Sequence, residues 1–180
     1  MNRRGFTIVE LLIVIVVIGI LAAITIVAYN GVQTRAENAK TVQAVSQYVK
    51  AIHSYASINS NYPIETLFPC LGSNTPQTTC GNVGGGPICQ AGSTVSNATF
   101  EANIRTVLSG SLPQPSAQRM TCGTTQTSGA YYNPSTGKTA TIIYFLKGDV
   151  TCDAIGGVQS ISKIFQDEST RCFATLPTLP

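Results

Sequence analysis

From Leu11 to Ala28 the chain is apolar at every position except Gly19 and Thr25, and the run reaches back through Phe6, Ile8 and Val9 around Thr7 and a single carboxylate, Glu10. The 23 residues from Phe6 to Ala28 make a helix of roughly 35 Å. A bilayer core of about 30 Å needs around 20 apolar residues, so this stretch is long enough to span. The pattern then changes period. Val32, Ala36, Ala39, Val42, Val45, Val49, Ile52 and Ala56 recur every three or four residues, while Arg35, Glu37, Lys40, Gln43, Gln47 and Lys50 fall largely off that stripe. This predicts an amphipathic helix continuing the span to about Ile58, a rod of roughly 80 Å. The stripe is the expected seat for a head domain. Asn59-Ser60-Asn61 and Pro63 supply the stop. Asn30-Gly31 reads as a soft joint inside the rod, since glycine costs a helix about 1 kcal/mol relative to alanine.

Beyond Tyr62 the periods shorten. Residues 68–96 are rich in Gly, Thr, Pro and Asn, and Gly84-Gly85-Gly86-Pro87 excludes a regular element. The run lacks the Lys-Ser/Thr and helix of a phosphate loop, so it reads as a surface loop pinned by disulfides. Asn97 or Thr99 can cap a short helix whose apolar positions are Phe100, Ile104, Val107 and Leu108, with Gly110 as its end. Asn97-Ala98-Thr99 also fits an N-glycosylation acceptor, a pattern that the capping role already explains. Residues 111–115 read as a linker. Strand signals follow at Gln118–Cys122, Ala130–Tyr132, Thr139–Leu146 and Arg171–Leu176, with a turn at Asn133–Gly137; Val158–Phe165 is ambiguous. The plan is α+β: a small antiparallel sheet with one face covered by the long helix.

Composition changes the picture in two ways. The 180 residues are 43% hydrophobic and only 11% charged, which suits one domain plus an anchor. All six cysteines (Cys70, Cys80, Cys89, Cys122, Cys152 and Cys172) follow the span, and none forms a C-x-x-C pair. A zinc ribbon is therefore not expected; in an exported head, three disulfides are. Six cysteines allow 15 pairings, so connectivity stays open.

Arg3 and Arg4 before the span orient it with its N-terminus in the cytoplasm. A cleaved secretory signal fits less well: its apolar core runs to about 7–15 residues before an A-x-A site, whereas Ala22, Ala23 and Ala28 never fall two apart. Glu10 has two readings. It can sit near the interface, stabilised by the helix N-terminus, or it can meet a cation of another chain inside the apolar phase.

Gly5-Phe6-Thr7-Ile8-Val9-Glu10-Leu11-Leu12-Ile13-Val14, after a basic leader, resembles the start of a type IV prepilin, the precursor of pilin and pseudopilin subunits with a class III signal sequence. The likeness covers about the first 30 residues closely. It implies a leader of residues 1–5 removed by a prepilin peptidase between Gly5 and Phe6, and methylation of the new amine on Phe6. Glu10 would pair with the terminal amine of a neighbouring subunit. It implies further a filament-core half of the helix at 6–28, an amphipathic half at 29–60 and a globular head at 61–180. In this family a C-terminal disulfide is common, which points to Cys152 with Cys172. The implied partners are identical or related subunits in a helical homopolymer, the peptidase, a membrane assembly platform with its ATPase, and the membrane that stores the precursor. Many pilins carry a proline within the apolar half of the helix. This chain has none before Pro63, leaving Gly19 and Gly31 as its weak points.

Losing residues 1–5 removes two of the 11 basic side chains against 8 acidic ones, so the mature balance is +1 rather than +3. Charge thus gives no argument for nucleic acid. Catalytic patterns such as G-x-S-x-G and H-E-x-x-H are absent, and the single histidine, His53, with no Cys or His neighbour, is expected to be a packed or exposed residue rather than a ligand. Asp149, Asp153, Asp167 and Glu168 form the one acidic cluster. Some pseudopilins bind calcium near their C-terminal end, but the spacing here matches no EF-hand and solvated loop acids are expected. No cofactor, metal or catalytic residue is anticipated. The leading expectation is a structural subunit of a type IV pilus or pilus-like filament. A minor tip pilin acting as adhesin or DNA-binding module, and a pseudopilin of a type II secretion system, are the alternatives.

Overall fold

The computed structural model describes residues 7–64, 68–72, 94–95, 98–122, 125–135 and 137–180. Helix α1 spans Ile8–Asn59 and runs through Gly19 and Gly31 without a break. The chain divides into two units between Ala36 and Glu37. In the first, every described side chain from Thr7 to Gln33 is exposed.

In the second unit the helix has a seat. Thr41, Ala44, Val45, Tyr48, Val49, Ala51, Ile52 and Ala56 are buried, with spacings of three and four that place them on one side of the helix. Burying a Val or Ile here contributes about 1.5–3 kcal/mol. The expected stripe is too long at its N-terminal end: Val32, Ala36 and Ala39 are exposed. The sheet reaches only to Asn38, whose side-chain amide donates to the Lys147 carbonyl (3.0 Å) and accepts from the Lys147 N–H (2.9 Å). The helix ends where Ser60 takes a left-handed conformation (φ 58°) and its N–H closes on the Ala56 carbonyl at 2.8 Å.

The remaining elements are β1 (Phe68–Pro69), β2 (Thr94–Val95), α2 (Ala98–Arg105), β3 (Met120–Cys122), β4 (Thr125–Thr127), β5 (Ala130–Pro134), β6 (Ala140–Lys147), β7 (Ser160–Gln166) and β8 (Ser169–Thr175). The main sheet is antiparallel with order β5-β6-β8-β7; β1 pairs parallel with β2, and β3 pairs antiparallel with β4. Strand β6 explains the packing. Ala140, Ile142, Tyr144 and Leu146 share a core with Tyr48, Val49 and Ile52 of α1, whereas Ile143 and Phe145 pack with Cys70, Met120 and Tyr131 on the opposite face. Both faces of this strand are therefore covered, not the helix side alone, as its unbroken apolar run from Ile142 to Leu146 requires.

Three further differences from the sequence-based expectations have local causes. The ambiguous Val158–Phe165 segment is strand β7; its exposed edge position gave no clean alternation. Asn133 and Pro134 belong to β5, because a proline is tolerated at a strand end where no donor is needed. The turn begins at Ser135, whose N–H donates to the Thr139 carbonyl. Helix α2 starts at Ala98, which places Thr99 inside its first turn rather than at the cap. Phe100 and Ile104 are buried, and Phe100 stacks on Tyr132 with centroids 5.0 Å apart.

Four buried or half-buried phenols have raised pKa values. Burial lifts Tyr48 and Tyr62, lifts Tyr131 against the opposing pull of Arg171, and pushes Tyr144 up to about 12, with Asp153 adding to the shift. An unfolded tyrosine titrates near 10, so the neutral phenols stabilise the fold fully below that pH. This stability is lost as pH rises from about 10 through about 12. Tyrosinate absorbance should accordingly rise in two stages, the second coinciding with loss of folded structure.

Candidate functional site

The start of α1 is built around Glu10. Thr7 lies just before the helix, and its N–H and hydroxyl both donate to Glu10 Oε2, at 2.8 and 2.7 Å. The Glu10 N–H donates back to Thr7 Oγ1 at 3.2 Å. This reciprocal arrangement is a capping box: the Glu10 carboxylate accepts from the Thr7 N–H and the Thr7 hydroxyl oxygen accepts from the Glu10 N–H, two donors that the helix start would otherwise leave orphaned. Both bonds to the carboxylate fall on Oε2. The Thr7-Ile8-Val9-Glu10 spacing carries the S/T-x-x-E signature. Weighing Glu10 only as a charge in an apolar run hides the role of Thr7, which the sequence pattern could have shown.

Around and after Glu10 the helical surface is exposed among the described residues. Ile8 is 85% exposed, Leu11 62% and Ile24 62%. A helix apolar on all sides is stable in lipid or inside an assembly rather than in water, and α1 is long and apolar enough to cross a membrane. The addition of a Cβ at Gly19 or Gly31 would meet nothing within 4 Å, so neither glycine is required by packing within the chain.

The other anticipated residues are scattered. Gly5 and Phe6 lie outside the described residues, as do Cys80, Cys89, Asn97 and the Gly84–Pro87 run. Cys70 is disulfide-bonded, and of Cys122 only the backbone is described. Cys152 and Cys172 are joined, with Cα atoms 5.8 Å apart, which ties the β6–β7 crossover to β8. Within that crossover Gly157 adopts φ +89°, and a Cβ there would lie 3.2 Å from the His53 ring. The Gly157 carbonyl accepts a 2.5 Å hydrogen bond from His53 Nε2, and His53 also sits edge-on to Tyr62. It is a packed residue. The acidic residues do not converge: Asp149 pairs with Lys163 at 2.9 Å, Glu168 accepts from the Thr121 N–H, and Asp167 forms the β7–β8 turn. Among the described residues no three His, Cys, Asp or Glu side chains come together as a metal site.

Residues 1–26 match the prokaryotic N-terminal methylation motif. The chain is 36% identical over 62 residues to the type II secretion system core protein G of Klebsiella michiganensis, covering 34% of this chain and 44% of that protein. To the proteins of the same name from Escherichia coli and Pectobacterium carotovorum it is 34% and 33% identical, again over 62 residues and 34% of this chain, with 43% and 40% of those proteins covered. Over that first third of its length, the chain is similar to pseudopilins of the type IV pilin superfamily. It spans less than half the length of the curated relatives it matches. No solved structure gives a match. The long N-terminal helix seated on a small disulfide-bonded antiparallel sheet is the pilin plan expected from the sequence.

Proposed function

We infer that this chain is a structural, non-catalytic subunit of a pilus-like filament, stored in the membrane through the first half of α1 and assembled by burying that half against other subunits. The observation that carries this reading is the fully exposed apolar helix that opens on a capped carboxylate. Of the three filament roles raised by the sequence, the similarity to type II secretion core proteins favours a pseudopilin over a subunit of a long surface pilus or a tip adhesin.

In this reading the precursor is cut between Gly5 and Phe6, and the amine of Phe6 is methylated. Glu10 turns its carboxylate to the Phe6 amine of a neighbouring subunit. An α-amine is mostly cationic at neutral pH, and pairing relieves the cost that each charge carries alone in an apolar core. A wrong axial offset leaves both charges unpaired, so the pair sets the register of the polymer. A membrane peptidase, related pilin-type subunits and an assembly platform with its ATPase are the partners this life cycle needs. Nucleic acid is not among them.

Mass spectrometry of the N-terminal peptide of the assembled protein tests the reading. The expected start is N-methylated Phe6. A chain that still begins at Met1, or begins beyond Ala28, would overturn it. Deletion of the protein separates the two filament types: a pseudopilin is expected to abolish protein secretion and leave surface fibres intact, a pilus subunit the reverse.

A further inference from the structure

Three asparagines lie in α1, and two of them are occupied. The Asn38 amide holds both backbone groups of Lys147, and Asn59 donates to the Tyr55 carbonyl at 2.9 Å. The side chain of Asn30 makes no hydrogen bond among the described residues. It is followed by Gly31, in the one Asn-Gly pair of the chain. Both residues are exposed, and a Cβ added at Gly31 would meet nothing within 4 Å.

An asparagine followed by glycine carries its own modification chemistry. The Gly31 amide nitrogen attacks Cγ of Asn30 and a C–N bond forms. The Cγ–Nδ2 bond breaks, and Nδ2 leaves as ammonia with the proton that Gly31 gives up. Water then opens the resulting succinimide. Opening at Cγ gives aspartate; opening at the main-chain carbon gives isoaspartate, in which the backbone runs through the side chain. Nothing is oxidised or reduced. Glycine hinders the attack least, because it has no Cβ.

Inside α1 the pair is locked. The helix is continuous through Asn30 and Gly31, so the Gly31 N–H is committed to the carbonyl four residues earlier. The fixed helical torsions at Asn30 also deny the nitrogen its approach to Cγ.

We propose that Asn30 is a latent self-modification site, closed by the helix and converted to aspartate or isoaspartate wherever α1 opens at this pair. Asparagine and glycine are both poor helix formers, so local opening is easier here than in the Val/Ile/Leu-rich helix before it. Conversion runs one way. Isoaspartate lengthens the main chain by a methylene, so the i→i−4 ladder cannot close across position 30 again. Aspartate adds a charge just past the apolar run. A single opening thus leaves a permanent mark on the helix, whether or not the chain is assembled into a filament.

The test follows position 30 by peptide mass spectrometry in the full-length chain, held in detergent micelles at neutral pH. A synthetic peptide of residues 28–35, too short for a stable helix, supplies the rate of the open state. Conversion in the full-length chain is expected to be about tenfold slower than in the peptide, or slower still. Val32→Pro pushes Gly31 out of the helical region and should bring the full-length rate up toward that of the peptide. Gly31→Ala fits the helix without a clash and should suppress conversion in chain and peptide alike. A full-length rate equal to that of the peptide, a Val32→Pro chain no faster than wild type, or an inert peptide overturns the proposal.

Discussion

Glu10→Gln is expected to leave the protein inserted and folded while removing it from filaments, and this separates the two tasks of the residue. Glutamine still closes a capping box with Thr7, so the helix start observed here survives the substitution. The charge does not survive. A neighbouring Phe6 amine would then be buried without a counterion, and breaking such a pair costs about 3–5 kcal/mol. At every subunit contact that is a hundredfold or larger loss of affinity, on the order of 10²–10⁴. Glu10→Ala loses the cap as well, adding about 1 kcal/mol. Thr7→Ala removes the hydroxyl that holds the carboxylate but keeps the charge, and should lower filament recovery far less than Glu10→Gln. The quantity to compare is assembled protein in sheared or cross-linked fractions, normalised to membrane-inserted precursor. Wild-type recovery for Glu10→Gln would reduce Glu10 to a helix cap and remove the register argument.

The second large effect is expected at Cys152–Cys172. The bond closes a loop with a sequence separation of 20, for which loop-closure entropy predicts about 3 kcal/mol, within the 2–5 kcal/mol typical of disulfides in small exported domains. Cys172 is fully buried in the core that also holds Val49 and Ile52, and Cys152 anchors the crossover whose Gly157 carbonyl meets His53. The double variant Cys152→Ala/Cys172→Ala avoids leaving one reactive thiol. Its expected signature is local as well as global. Amide exchange should accelerate first in residues 148–159 and in α1 around His53, with the denaturant midpoint of the detergent-solubilised chain lowered. N-terminal processing should be unchanged. Unaltered exchange in the crossover would mean that the packing of Ile155 and Gly157 on the helix holds it without the bond.

Residues that act within one long element are legible in the sequence. The apolar run, its continuation to Asn59 and the stop at Ser60 follow from composition and period over many residues, where no tertiary contact competes. Strands β5, β6 and β8 are visible because β-branched and aromatic residues concentrate there. The capping box is written in the sequence too, and Thr7 escapes notice only when the carboxylate three residues on is read for its charge alone.

What the chain alone determines is therefore the long helix: a helix apolar on every side is stable in lipid or inside an assembly rather than in water, and reading it as such needs no knowledge of the head. The head's organisation needed three dimensions. Whether the helical stripe is covered from Val32 or only from Thr41 depends on where the sheet ends, and that is fixed by Asn38 meeting Lys147, 109 residues away. The edge closed by the Cys70 segment beside Tyr131, and Arg171 held by Tyr131 against the ring of Phe173, are likewise meetings of distant segments. Periodicity records which side of an element is apolar; only packing decides which neighbour arrives to cover it.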